Sequence, residues 1–165
     1  MTEWTLFDSP IGRCGIAWTD RGVVTGVRLP PARFPGRPTH PPPEVRAVID
    51  RILGLLRGEH DDLSDVEVDL DDVGPFERAV YDVARAVPPG ATVTYGEVAI
   101  RIGHPGSARE VGTALGRNPV PLVVPCHRVV AAGGRLGGFS APGGTTTKER
   151  LLAIEGATTP TLPFG

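Results

Sequence analysis

The segment NPVPLVVPCHRVVAAGG, residues 118–134, places a cysteine directly before a histidine and an arginine. The thiolate of Cys126 would be a nucleophile, but a free thiol has a pKa of about 8.5. Reaction at neutral pH therefore needs a nearby base or positive charge. His127 and Arg128 are residue types that could supply them. Because neighbouring side chains on an extended segment point to opposite faces, proton transfer from Cys126 to His127 is expected to need a water molecule or a turn. On composition alone, the alternative that Cys126 is a small buried apolar residue stays open.

Other residues that could bind a metal or form disulfides are few. The chain has 165 residues, with two cysteines and four histidines, and no two histidines have the spacing of a ligand pair. We therefore predict two free thiols, with Cys14 a buried structural residue, and we predict no metal site and no cofactor.

The charge is unevenly distributed along the chain. Residues 1–74 contain eight arginines and thirteen acidic residues, a net charge of −5, whereas residues 75–165 contain nine basic and six acidic residues, a net charge of +3. The basic C-terminal half is a weak indication of a polyanionic partner. No segment has the pattern of a signal peptide or a membrane-spanning helix, so the expected location is the cytoplasm and no membrane partner is expected.

The first half of the sequence predicts a small antiparallel sheet followed by a helix. WTLFDSP and GRCGIAWTDRGVVTGVRL contain short alternating runs separated by turn residues. The proline-rich segment 30–43 is predicted to be an extended loop. Apolar residues at helical spacing in EVRAVIDRILGLLRG predict an amphipathic helix that ends near Gly58. VEVDL, residues 66–70, alternates and predicts an edge strand.

The second half is predicted to be mainly helical. PFERAVYDVARAV should begin a helix at Pro75, and TYGEVAIRIG and SAREVGTALGRN are two short helical patterns around a glycine-containing turn, as in a helix-turn-helix. Ser107 is predicted to cap the second of these helices, with Glu110 completing a capping box. The same pattern occurs in helical proteins that do not bind DNA, so at this point both alternatives remain open.

Five motifs in this half together resemble one protein family. PCHRVV is preceded by TYGEVA and AREVGTALGRNP and followed by GGFSAPGG and KERLLAIEG. Their identity and order, from about Pro75 to Gly156, closely resemble the O6-alkylguanine-DNA alkyltransferases, also called methylated-DNA-protein-cysteine methyltransferases. Five ordered motifs are much more specific than any single one.

The resemblance implies direct DNA repair in which Cys126 accepts a methyl or other alkyl group from O6 of guanine, with O4 of thymine as a further candidate, once per protein molecule. It further implies that His127 accepts the thiol proton through a water, that Glu155 orients His127, and that Tyr95 donates a proton to the base. Asn118 resembles the asparagine that links the second helix to the cysteine segment, although an asparagine before a proline also suits a helix C-cap.

The implied partner is double-stranded DNA that contains O6-alkylguanine, with the damaged base flipped out. Arg109 resembles the arginine that enters the base stack, and the family lays its second helix in the minor groove. Ser140 resembles a pocket residue, and here the sequence departs from many members of the family by two added residues around Ala141–Pro142, which should change the shape of the pocket. The remaining residues expected at the DNA interface are Ser107, Ala108, Gly112 and Arg128; for Ala108 and Gly112, tight packing is the alternative.

The predicted fold is an α/β N-terminal domain, residues 1–73, with a ribonuclease-H-like layout of small antiparallel sheet plus helix. Residues 74–165 are predicted to form a mainly α, winged-helix-like domain. We expect a monomer in solution, with assembly of several molecules on DNA left open. The alternative function is a non-catalytic binder of alkylated DNA with the same fold, which Cys126 argues against. A cysteine hydrolase would require direct contact between a cysteine and a histidine, and a winged-helix regulator would usually require a dimerisation helix.

Overall fold

A computed structural model describes residues 3–139 and 143–157. The chain begins with three antiparallel strands in the order β1, β2, β3, which span Glu3–Ser9, Gly12–Trp18 and Val24–Arg28. The residues of β2 from Cys14 onward are all buried, because helix α1, Pro43–Leu56, and the rest of the core cover this strand. The predicted sheet and helix are therefore confirmed.

The acidic segment after α1 is an irregular loop, and the predicted strand at residues 66–70 is wrong. Only Val68 forms a bridge, to Val24 of β3. The physical reason is local, since the carboxylates of Asp61 and Asp62 accept hydrogen bonds from backbone N–H groups two residues onward. Such bonds favour turns over a strand ladder. Arg51 of α1 then fixes the loop through a 2.7 Å ion pair with Asp61.

The C-terminal half is helical around one very short parallel strand pair. Its elements are α2 (Pro75–Arg85), β4 (Val93–Thr94), α3 (Tyr95–Arg101), α4 (Ala108–Gly116), β5 (Val129–Val130) and α5 (Gly144–Ile154), with 3₁₀ turns at Cys126–Arg128 and Ala132–Gly134. Strands β4 and β5 pair in parallel and so place the start of α3 beside the cysteine segment. As predicted, α3 and α4 are two short helices in contact.

The capping box lies at the start of α3 rather than at the start of α4. The Thr94 hydroxyl accepts a bond from the Glu97 N–H, and the Glu97 carboxylate accepts one from the Thr94 N–H. Ser107 does precede α4, but its side chain makes no capping bond. Its φ of −98° and ψ of 30° differ from the extended conformation that points a capping side chain at the first turn. The box predicted for Ser107 and Glu110 is therefore wrong.

Most of the buried apolar residues of both halves form one continuous cluster, which runs from Ile16 of β2 to Leu151 of α5, and Val130, Leu152 and Ala157 form a second, smaller cluster. Arg85 of α2 also connects the two halves of the chain, because its guanidinium donates to the carbonyl oxygens of Leu63, Ser64 and Val66. The division at residue 73 or 74 remains a prediction about sequence organisation. Within the described residues, no helix is long and apolar enough to cross a membrane.

Candidate active site

Cys126 begins a 3₁₀ turn rather than lying on an extended segment. The apolar run before it is buried, its own N–H donates to the Val124 carbonyl at 2.8 Å, and the Arg128 N–H donates to the Pro125 carbonyl at 2.9 Å. Only 8 % of Cys126 is exposed. The turn lets the side chains of His127 and Arg128 both reach Glu155, whereas neighbouring side chains on an extended segment point to opposite faces.

His127, Arg128 and Glu155 form a buried ionic cluster. The Nε2 atom of His127 lies 2.8 Å from Oε2 of Glu155. The Arg128 guanidinium donates to both carboxylate oxygens at 2.9 Å and to the Val87 carbonyl at 2.8 Å. This bidentate geometry is the strong form of an arginine–carboxylate pair. Glu155 is held at the end of α5, so that helix determines where the cluster forms.

The prediction that Arg128 contacts DNA is wrong. Its side chain is completely buried, and it is bonded to Glu155 and to Val87. A guanidinium in this position costs a large desolvation free energy unless a carboxylate and a carbonyl satisfy it, which is what the structure provides. Arg128 therefore holds the carboxylate of Glu155 in place.

The ionic cluster also selects the tautomer of His127. Burial by itself would raise the pKa of Glu155, but the hydrogen bonds from Arg128 and His127 lower it to about 2. An ionised carboxylate can only accept hydrogen bonds, so Nε2 carries the proton and Nδ1 has the lone pair. Nδ1 is buried and has no hydrogen-bond partner among the described residues, which excludes a direct bond to the Cys126 thiol.

Burial keeps the thiol and the imidazole neutral. It raises the pKa of Cys126, while a hydrogen bond from Asn118 and the charge of Lys148 act in the opposite direction. Burial likewise lowers the pKa of His127, against the effect of Glu155. The protein alone thus contains a thiol, a neutral imidazole and an ionised carboxylate. A base must remove the thiol proton before the sulfur can react.

Asn118 links the end of α4 to the cysteine segment. Its Nδ2 donates to the Val124 carbonyl at 2.8 Å, and its Oδ1 accepts from the Val120 N–H at 3.0 Å. Arg117 is the C-cap of α4, so Asn118 lies one residue beyond the cap. These contacts are the ones expected for the linking asparagine.

Lys148 is an important residue that the sequence interpretation missed. Its ammonium group is buried and donates to the carbonyl of Val129 at 2.7 Å, to the carbonyl of Gly138 at 3.2 Å and to the Tyr95 hydroxyl at 3.2 Å. Burial lowers the pKa of Lys148 to about 8. A usable signal was present, because the chain has sixteen arginines and this single lysine. Lysine, unlike arginine, can lose its proton near neutral pH.

A cavity of about 550 Å³ brings five of the eleven predicted site residues together. Its wall includes Tyr95, Ala108, Arg109, Gly112 and Cys126. Arg109 is exposed on the first turn of α4, which is where the resemblance places the residue that enters the base stack.

The other six predicted residues are not part of this wall: His127, Glu155 and Asn118 have the contacts described above, and three more lie elsewhere or outside the described residues. Arg128 is buried behind the cavity, and Ser107 precedes α4 without being part of the cavity wall. Ser140, with the apparent insertion beside it, lies outside the described residues. Among the described residues, no group of three or more histidine, cysteine or acidic side chains could hold a metal ion.

The sequence of this chain is similar to those of known proteins. Residues 75–157 match the family described as 6-O-methylguanine DNA methyltransferase, DNA binding domain. A methylated-DNA–protein-cysteine methyltransferase of Mycolicibacterium paratuberculosis is 39% identical over 159 residues, which cover 94% of this chain and 93% of the relative.

Two crystal structures extend the similarity to the whole fold. The structure of Mycobacterium tuberculosis OGT in complex with DNA has a TM-score of 0.79 and 35% identity, covering 96% of both chains. The O6-methylguanine-DNA methyltransferase of Pyrococcus kodakaraensis has a TM-score of 0.71 and 28% identity, covering 94% of this chain and 99% of that one.

Proposed function

This chain belongs to the methylated-DNA–protein-cysteine methyltransferase family, and we propose that Cys126 is the residue at which it accepts the alkyl group. As a member of the family it acts in DNA repair by alkyl transfer. The observation that carries the assignment to Cys126 is its position in the wall of a cavity, directly before a histidine held by a buried carboxylate. Sulfur is a strong nucleophile at carbon once it is ionised, which suits this reaction.

The first half of the reaction is a displacement at carbon. The thiol proton moves through a water to Nδ1 of His127, which has the free lone pair, and the imidazolium is stabilised by Glu155. A bond then forms between Sγ of Cys126 and the alkyl carbon, while the bond between that carbon and O6 breaks and leaves its electron pair on the guanine. The proton lost by the thiol is thus retained on His127.

The second half restores a neutral guanine, which must gain one proton. Tyr95 lines the same cavity as Cys126, and its hydroxyl accepts a hydrogen bond from Lys148 at 3.2 Å and donates one to the Gly138 carbonyl at 3.4 Å. We infer that the base replaces this long donated bond and receives the Tyr95 proton. Lys148 can replace that proton because its pKa is about 8. The residues around the cavity therefore supply both proton transfers, and the scheme requires no cofactor.

The product at Cys126 is a thioether, which has no ready leaving group. Each protein molecule would therefore react once and not regenerate its thiol. The same displacement applies to O4-alkylthymine, because its alkyl group is also attached to an exocyclic oxygen on a pyrimidine-type ring. We include this lesion in the proposed substrate range.

The DNA must present the damaged base outside the stack, since Cys126 lies in a cavity wall and is largely buried. We place α4 in the minor groove with Arg109 in the space that the base leaves. The minor groove distinguishes sequences poorly, which suits a protein that must act wherever the lesion occurs.

The test of the proposal is mass spectrometry after incubation with a duplex that contains one O6-methylguanine. We expect one methyl group per protein molecule, located on the peptide with Cys126, while the peptide with Cys14 stays unmodified. Binding of the damaged duplex without any mass gain would instead identify a non-catalytic binder and reject the assignment of Cys126.

Replacement of Tyr95 by phenylalanine should slow transfer by about 10²-fold, the lower end of the range for losing one proton donor. Phenylalanine keeps the ring but removes the hydroxyl that accepts from Lys148. Single-turnover rates at saturating damaged duplex measure the effect, and affinity for undamaged DNA is the control that should not change. An unchanged transfer rate would remove Tyr95 from the proton path.

Replacement of Arg109 by alanine should slow transfer from a duplex by about 10²-fold, because extruding a stacked base costs a few kcal/mol that the inserted side chain helps to offset. The same lesion in single-stranded DNA should react within about threefold of the wild-type rate. The control is Arg101→Ala, which removes the same charge from an exposed arginine on α3 that is not part of the cavity wall. Equal losses on both kinds of DNA would contradict a role in base extrusion.

A further inference from the structure

Cys126 borders a second cavity in addition to the one that contains Tyr95 and Arg109. This cavity has a volume of about 360 Å³ and shares Leu115, Gly116 and Phe139 with the first. Its opposite wall comes from the N-terminal half, from the end of β3 and the loop that follows it. Cys126 therefore lies between two cavities, of which the proposed reaction uses only one for the base.

The wall from the N-terminal half has an apolar part and a basic part. Leu29 and Ala32 are 2 % and 8 % exposed and are apolar, whereas Arg28 and Arg33 are exposed. No carboxylate belongs to this wall within the described residues. The space therefore combines an apolar surface with positive charge, which suits a flexible apolar chain with an anionic end.

The basic part of the wall is held in place by its own contacts. Arg28 donates to the carbonyl of Arg33 and lies 4.1 Å from the centre of the Phe34 ring. The N–H of Ala32 donates to the carbonyl of Arg13 in β2 at 3.2 Å, which fixes the loop against the sheet. A guanidinium held in this way loses less conformational freedom when it binds an anion.

We propose that this second cavity, which we call the tail chamber, receives the part of an O6-alkyl group beyond the carbon that bonds to sulfur, and that it favours tails ending in a carboxylate. The proposal rests on alkyl transfer to Cys126. In a displacement, sulfur, carbon and O6 lie nearly in line, so the rest of the alkyl group must project to the side of that line. With the base in the first cavity, the tail chamber is the adjoining space beside the sulfur.

The bonds made and broken are the same as for a methyl group. The S–C bond forms, the C–O6 bond breaks with its electron pair going to guanine, and the carboxylate of the tail does not react. A methyl group would use almost none of the tail chamber, whereas a chain of three or four carbons would enter it. Cavities that hold small molecules measure roughly 300–1,000 Å³, so about 360 Å³ is sufficient.

Three duplexes test the proposal, with O6-methylguanine, O6-butylguanine or O6-(3-carboxypropyl)guanine at the same site. In the wild-type protein we expect the carboxypropyl group to transfer about tenfold faster than the butyl group. The double variant Arg28→Gln, Arg33→Gln should reduce this ratio to about one, since it removes both positive charges from the wall. It also removes the contacts of Arg28 with the Arg33 carbonyl and the Phe34 ring, and the butyl rate reports any effect of that loss on the chamber. Arg37→Gln, an exposed change on the same loop but outside the wall, should leave the ratio unchanged.

The size of the tail chamber is tested by Ala32→Phe. We expect both long groups to transfer at least about tenfold more slowly relative to methyl, which is the scale of an added steric conflict in an apolar pocket. The methyl rate reports whether this variant is folded, and the two arginine changes at exposed positions give an independent result if it is not.

The outcomes separate this inference from the proposed function. A wild-type preference for butyl over carboxypropyl, or long-group rates that Ala32→Phe does not alter relative to methyl, would overturn the tail chamber and leave transfer to Cys126 intact. Failure to transfer even the methyl group would reject the proposed function itself.

Discussion

Replacement of Cys126 by serine should abolish alkyl transfer while the protein still binds damaged DNA. The hydroxyl is similar in size to the thiol but ionises far less readily, so removal of its proton by His127 would be unfavourable. A loss on the order of 10⁶-fold is expected, as when the nucleophile of a covalent catalyst is removed. Transfer of a labelled methyl group from a duplex with one lesion measures this directly.

The same experiment should include Cys14→Ala as the control. Cys14 is also a buried free thiol, and its pKa is also raised by burial, but it lies in β2 with Ser9 as its contact and outside both cavities that Cys126 borders. This variant should transfer at the wild-type rate. If Cys126→Ser still accepted the methyl group on another residue, the nucleophile would be misassigned.

The sequence predicted those parts of the structure that depend on local patterns. Alternating residues gave the three strands, and the helical spacing gave α1 and α2 with Pro75 at the start of α2. Where two local patterns compete, prediction failed. VEVDL alternates like a strand, but the aspartates that precede it form turns with the backbone, and only Val68 pairs.

The site was less predictable, because its contacts join distant parts of the chain. Arg128 was expected at the DNA interface, yet its partners are Glu155 and the Val87 carbonyl, 27 and 41 positions away. No local pattern shows that the guanidinium is buried. The resemblance supplied the pairing of His127 with Glu155, and the observed 2.8 Å contact agrees with it, while the catalytic roles remain proposals.

Replacement of Glu155 by glutamine should have the largest effect on stability. The change keeps the shape of the side chain but leaves the buried guanidinium of Arg128 without its counter-charge. Breaking a buried ion pair in this way lowers the free energy of unfolding by about 3–5 kcal/mol. Urea denaturation at pH 7 measures the loss. Glu149→Gln, the same change at an exposed position of α5, should alter stability by less than about 0.5 kcal/mol.

The pH dependence of stability shows whether Glu155→Gln is destabilised by the loss of charge or by packing. Hydrogen bonds from Arg128 and His127 outweigh the effect of burial and lower the pKa of Glu155 from its ordinary value of 4.5 to about 2. Its contribution to stability is therefore present above pH 4.5 and is lost as the pH falls toward 2. The difference between wild type and Glu155→Gln should shrink over that range. A difference that stays constant with pH would show that the variant is destabilised by packing rather than by loss of charge.

The same variant links stability to chemistry. Without an ionised carboxylate at Nε2, His127 is no longer restricted to the tautomer with its lone pair on Nδ1, where it must act as the base. Transfer by the folded fraction should fall by about 10²–10⁴-fold, the range for general-base catalysis. If Glu155→Gln were destabilised but transferred at the wild-type rate, Glu155 would be needed to neutralise Arg128 and not to orient His127.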